Sequence, residues 1–257
     1  MARWTPFPQL GKFDFDADRV KKNWSRLHQG DAEPLPGEIP VLEAWALFHS
    51  GHFQKAVQFG LAAGGAGITV ANKAASIYAT YLEKKESARM ALYQEVARRA
   101  KAQLELQPDE AGGHYWQAYA LGRYSQGISV AKALAQGLGG KVKMALERTI
   151  QLQPRHADAH VALGTFHAEV IDKVGPLIGG MTYGAKKDVG IDLFKKALLL
   201  NPKSAIAMVE YANALVMLEG DQKMKEATLL YEKASAFKAF DAMEWLDVEL
   251  ARGELAD

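Results

Sequence analysis

Three histidines make the most chemical-looking stretch of the sequence. His156 and His160 are four residues apart, His167 lies seven further on, and Glu169 follows. On one helix these side chains can share a face and offer imidazole and carboxylate ligands to a metal. The same spacing has a structural use. His114 and His160 each stand six residues after a proline, Pro108 and Pro154. A repeated position argues for packing, and no metal is assigned. Gly137-Leu138-Gly139-Gly140-Lys141-Val142 resembles a phosphate loop superficially. It lacks the motif's earlier glycine, has Val142 where a hydroxyl residue should follow the lysine, and no strand pattern precedes it. It reads as a flexible inter-helix turn. There is no nucleophile elbow, no His-Glu-x-x-His and no cysteine, which leaves no thiolate site and no disulfide framework. The expectation is a chain with no catalytic residues, no cofactor and no metal, and therefore not an enzyme.

Charge excludes further classes. The chain has 31 basic and 30 acidic residues in 257, a formal net charge of +1. That balance gives no strong drive toward nucleic acid or anionic membrane. Basic clusters at Lys84-Lys85, Arg98-Arg99-Lys101, Lys141-Lys143 and Lys186-Lys187 are interleaved with acids and read as solvated faces. No run of 18 apolar residues occurs, so no transmembrane helix is expected. The N-terminus lacks the apolar run of a signal peptide, and a cytoplasmic location is expected.

The elements that would carry any site are helices, and they repeat. Lys101–Pro108, Glu147–Pro154 and Lys195–Pro202 each read as the last turns of a helix closed by proline. Ten residues after each proline stands a small residue: Ala118, Gly164 and Ala212. In a helical hairpin that is where two backbones come closest, so all three should be buried between paired helices. Apolar periodicity predicts helices over 17–29, 41–50, 53–63, 69–82, 86–106, 111–125, 128–136, 141–152, 157–172, 189–200, 205–218, 223–236 and 240–252, with no sheet. Val20, Trp24 and Leu27 of the first helix make a face suited to capping a repeat array.

This pattern resembles the tetratricopeptide repeat (TPR) family over most of residues 37–236. Leu47–Ala56 is similar to the family's inter-helix turn, with Gly51, Phe53 and Ala56 in place. The resemblance implies an all-α fold, an α-α superhelix (TPR-like solenoid) of about five irregular helical hairpins. Residues 1–36 form an N-terminal extension with a capping helix, and 37–257 the repeat domain. The unit is about 34 residues, yet Pro108, Pro154 and Pro202 are 46 and 48 apart. Two glycine-rich insertions, near Ser125–Gly140 and Asp172–Gly190, should be turns and short helices. The paired insertions resemble the TPR-like domain of the regulator of microtubule dynamics family, some eukaryotic members of which are membrane-anchored; nothing here reads as an anchor. The irregular repeats are also similar to the T subunits of bacterial TRAP transporters, which are typically exported.

The family resemblance places binding in a concave groove lined by the first helix of each hairpin. Carried onto this sequence, that groove includes Trp45 and Phe48, then Asn72, Ser76 and Thr80, then Tyr115, Tyr119 and Arg123, then Val161, and finally Val209, Asn213 and Met217. The lining is mainly apolar and aromatic, with too few cations for an acidic-tail clamp. It suits an unidentified peptide or protein partner. The alternative is a carrier for an amphipathic small molecule or lipid, with the insertions as a lid. The inserted segments or the terminal helix can also fill the groove. Leu177, Ile178 and Met181 in the second insertion need an apolar neighbour and should pack near that surface.

Overall fold

A computed structural model describes residues 4–256; Met1–Arg3 of the N-terminal extension and Asp257 lie outside the described residues. Among the described residues every regular element is helical. In chain order the α-helices are α1 (Ala17–Lys22), α2 (Trp24–Leu27), α3 (Ile39–His49), α4 (Phe53–Ala63), α5 (Gly67–Tyr81), α6 (Glu86–Leu106), α7 (Ala111–Gln126), α8 (Val130–Ala135), α9 (Leu138–Leu152), α10 (Ala157–Val174), α11 (Pro176–Tyr183), α12 (Lys187–Leu200), α13 (Ala205–Glu219), α14 (Met224–Ser235) and α15 (Ala242–Glu254).

Local chemistry sets many of the boundaries. Asp16, Ser129 and Ser204 cap α1, α8 and α13 by accepting from the amides of Arg19, Lys132 and Ala207. Pro40 and Pro176 sit in the first turns of α3 and α11, where a missing N–H loses nothing. Gly51 makes the turn after α3 at φ +85°, and a Cβ there would lie 2.5 Å from the Phe7 ring. The expected capping helix over 17–29 is instead two short helices. Asn23 leaves helical geometry at φ −106° and its side-chain amide donates to the Arg19 carbonyl at 2.8 Å. Asparagine competes with the backbone in this way and breaks the helix.

The chain forms two compact units. The first comprises residues up to His28, Glu33–Ala145 and Phe240–Met243; the second comprises Gln29–Ala32, Leu146–Ala239 and Glu244 onward. In the first unit α3 packs on α4 and α5 on α6, while α3, α5 and α7 lie in sequence side by side. In the second, α10 packs on α12, α13 on α14, and α10 lies beside α13. Paired antiparallel helices whose first members stack are the TPR arrangement. The all-α, TPR-like reading stands.

The small residues sit where the repeat pattern puts them. Ala118 and Ala212 are buried, and Gly164 is buried against α12. A Cβ on Gly164 would lie 2.8 Å from the Phe194 ring and 3.1 Å from the Gly190 carbonyl. Gly164→Leu is therefore expected to destabilise the protein by about 1–3 kcal/mol through overpacking. An unchanged thermal midpoint would contradict this packing.

The insertions differ from expectation in detail. Gly139 and Gly140 lie inside α9, which begins at Leu138 rather than 141. Leu138 is buried and anchors that first turn, offsetting a glycine penalty of about 1 kcal/mol each. The phosphate-loop lookalike is thus a helix start and not a flexible turn. In the second insertion α11 is held to α10 through Gly179 near Val170 and Tyr183 edge-on to Phe166 at 6.2 Å. Its apolar side chains point the other way: Leu177 is 75% and Met181 82% exposed, with Ile178 exposed beside them. They do not pack on a lining surface, because Gly179 and Tyr183 supply the side of this short helix that meets α10.

Candidate functional site

The inner face of the first unit is built on α5 and α7. Asn72, Ser76 and Thr80 recur every four residues and so line one stripe of α5. Tyr115, Tyr119 and Arg123 do the same on α7. The Thr80 hydroxyl joins the two helices. It lies 2.8 Å from the Tyr119 hydroxyl and 3.0 Å from that of Tyr93, and it donates to the Ser76 carbonyl at 2.9 Å. Tyr93 comes from α6 and is buried. Burial raises its phenol pKa above the ordinary value, and the neighbouring Tyr119 adds to the shift. Tyr93 therefore stays neutral and hydrogen-bonded. Tyr119 and Arg123 are half-buried, with the guanidinium 5.4 Å from the Tyr119 ring centre and bonded to Gln126. An aromatic face, a cation and two fixed hydroxyls thus meet at a partly open edge. These groups can offer a ring face, a positive charge and hydrogen bonds.

Trp45 and Phe48 are not part of that face. Both are 0% exposed. The N-terminal extension and α4 cover them: Trp24 and His28 meet Trp45 edge-on at 5.9 and 4.5 Å, and Phe53 of α4 meets Phe48 at 5.6 Å. Lys73 lays its ammonium 5.4 and 5.2 Å from the Trp45 and Phe48 ring centres. Their expected surface role is corrected to a core role, since aromatic rings of the chain itself enclose both. Tyr115 is also buried, against Trp116 and Tyr119.

The inner face of the second unit is built on α10 and α13. Val161 is buried in a cluster with Phe194, Ala207, Tyr211 and Leu215, and Val209 in another with Met208, Ala234 and Val248. Neither valine has surface to offer a partner, which corrects their expected lining role. Asn213 is half-buried and its amide oxygen accepts from the Tyr231 hydroxyl. Thr165 donates to Glu210 at 3.3 Å. Met217 is 40% exposed and is the open apolar side chain of this face. Tyr93, Glu210 and Tyr231 were missed in the sequence. Tyr93 and Tyr231 sit on second helices, which the repeat pattern assigns to the outside, and only their length brings the hydroxyls inward.

The three histidines are structural in their geometry. His156 Nδ1 accepts from the Ala159 amide and caps α10. His160 Nδ1 bonds the His156 carbonyl at 2.9 Å, and His167 Nδ1 accepts from the Lys186 amide at 3.0 Å. No cluster of three metal-ligating side chains occurs among the described residues. Burial holds His160 below the ordinary imidazole value of 6.5, partly opposed by its bond to the His156 carbonyl, with nearby Lys196 lowering it further. The folded protein thus prefers neutral His160, and the unfolded chain takes the proton first as pH falls. Stability is full above about pH 6.5 and declines below it. His160→Gln should flatten that slope in denaturation midpoints measured from pH 7.5 to 5.

With this geometry in view, comparisons with known proteins are informative. Residues 61–173 match the family described as regulator of microtubule dynamics protein 1-3. A thermophilic TPR protein of Thermus thermophilus superposes with a TM-score of 0.58 at 17% identity, covering 85% of this chain and 98% of that one. At that identity the likeness speaks for the fold. No curated protein matches the sequence. No helix among the described residues is long and apolar enough to cross a membrane.

Proposed function

From the premise that this is a TPR-like helical-repeat protein, we propose that it is a non-catalytic interaction scaffold. Its α5–α7 face takes a peptide or partner protein at the edge formed by Thr80, Tyr119 and Arg123. The observation that carries this reading is the fixing of Tyr119. Its hydroxyl is tied to Thr80 at 2.8 Å while its ring stays half open beside Arg123. An aromatic held in one position loses little entropy on binding, and Tyr and Arg are, with Trp, the residue types enriched among those that dominate interface energies. On the second unit, Asn213 and Met217 form a separate polar–apolar contact point.

The test is affinity capture of partners by the full chain, followed by titration with the recovered partner. Tyr119→Ala with Arg123→Ala should weaken the dissociation constant by about 30-fold or more, corresponding to about 2 kcal/mol or more for anchor residues. Leu229→Ala, on an exposed part of α14, should leave it unchanged. Equal binding by both variants would contradict the assignment.

A further inference from the structure

The Tyr119 edge has a positive side that only the packed helices reveal. Arg89 stands one turn before Tyr93 on α6, and Arg123 one turn after Tyr119 on α7, so each guanidinium shares a helix face with its tyrosine. The two helices run antiparallel: a Cβ on Gly113 would lie 2.9 Å from Leu104, and one on Gly127 would lie 2.5 Å from Met90. Arg89 and Arg123 therefore come to the same end of the helix pair, where both are half-buried. Burial dominates the raised pKa of the Tyr93 phenol, and the charges of Arg123 and Arg89 both oppose it, so both reach that hydroxyl. Nearby acids are spent elsewhere. Glu83 accepts from the Tyr78 hydroxyl at 2.9 Å and the Lys85 amide at 2.8 Å, and Glu95 pairs with Arg98. Among the described residues no carboxylate pairs with Arg89. The hydroxyl protons are spent too. Thr80 donates to the Ser76 carbonyl, so the Tyr93 and Tyr119 hydroxyls both donate to Thr80. What this end offers a ligand is cationic donors beside the half-open Tyr119 ring.

Resting on the scaffold reading, we propose that Arg89 and Arg123 select a phosphorylated side chain in the partner peptide. A phosphoryl group carries a charge of about −1.5 to −2 and three acceptor oxygens. A pair of guanidiniums supplies matching charge and two sets of forked donors, whereas a single carboxylate fills one fork. An anionic membrane is the poorer match. Basic segments that hold such a surface spread about 4–8 cations over it. Here half-buried guanidiniums converge beside one ring.

The experiment uses the immobilised full chain and a degenerate peptide pool with one fixed phosphothreonine, compared with the same pool carrying threonine. The phosphorylated pool should be retained about ten-fold or more over the other, as charge-assisted hydrogen bonds imply. Arg89→Gln should remove most of that preference. Arg89→Lys keeps the charge without the fork and should retain part of it. Arg98→Gln, on an exposed part of α6, should leave it unchanged. Equal retention of both pools, lost in Tyr119→Ala, keeps the scaffold reading and overturns this one. Retention of neither pool also overturns it, and partner capture then decides the scaffold reading separately. So does a phosphate preference that survives Arg89→Gln, or Arg89-dependent binding only to phosphatidylcholine vesicles containing phosphatidylserine.

Discussion

Gly67→Val is expected to destabilise the first unit by about 3 kcal/mol or more. The reason is backbone against backbone. A Cβ at Gly67 would lie 2.4 Å from the Gly60 carbonyl oxygen, and a Cβ at Gly60 would lie 2.5 Å from the Gly67 carbonyl. Helices α4 and α5 therefore touch main chain to main chain at this pair. A side chain can rotate away from an inserted methyl, but a helix carbonyl cannot move without parting the helices. Overpacking costs typically run to about 1–3 kcal/mol where side chains yield, and this contact has none that can. Gly122→Ala is the matching control. It sits inside α7 with nothing within 4 Å of the added Cβ. Relief of glycine's backbone entropy should stabilise by about 0.5–1 kcal/mol. Chemical denaturation of both variants checks the sign as well as the size.

Asp241→Ala is expected to be nearly as damaging. Asp241 precedes α15 and is buried, and its carboxylate lies 2.6 Å from Nδ1 of His49, the last residue of α3. Nε2 of His49 faces Nε2 of His28 at 3.4 Å. The three groups form a buried line, Asp241 to His49 to His28, that ties the Phe240–Met243 segment to α3 and to the end of α2. Phe240 adds an edge contact to Phe15 at 5.9 Å, with Arg26 over its ring at 5.4 Å. Removing the buried carboxylate leaves the His49 Nδ1 without its hydrogen-bond partner, at about 3 kcal/mol. Asp241→Asn keeps an acceptor for His49 and should cost about half as much or less. Glu95→Ala, which breaks the exposed pair with Arg98, should change stability by under about 1 kcal/mol. Unfolding midpoints that rank these three in any other order would contradict the buried-line account.

The parts of this fold legible in the sequence are those whose signals are local. The spans 53–63 and 86–106 coincide with α4 and α6. In one case Phe53 and Gly64 bracket an amphipathic run, and in the other Pro108 closes a long one. The spacing of Ala118, Gly164 and Ala212 from their prolines was readable for the same reason. The Gly60–Gly67 contact was not. It lies in a hairpin whose linkage lacks the proline signature, and two glycines near a turn look like loop formers until the helices are seen to cross there. Nor could the fate of Trp45 and Phe48 be read. Their helix positions match a lining role, but Trp24 and His28 of the non-repeating N-terminal segment, with Phe53, decide their burial. Tyr119 and Arg123, which the family resemblance put on a lining, are half-buried on α7.

Site-directed photo-crosslinking tests the central claim most directly. A benzophenone amino acid at position 122, on α7 beside Tyr119 and Arg123 where an added side chain meets nothing within 4 Å, introduced into the full chain and irradiated in the cells that make it, should capture one discrete partner in high yield. The same group at position 229, on the exposed side of α14, should capture none above background. Equal and diffuse labelling from both positions, or a discrete partner from 229 alone, would contradict an interaction scaffold that works through its α5–α7 face.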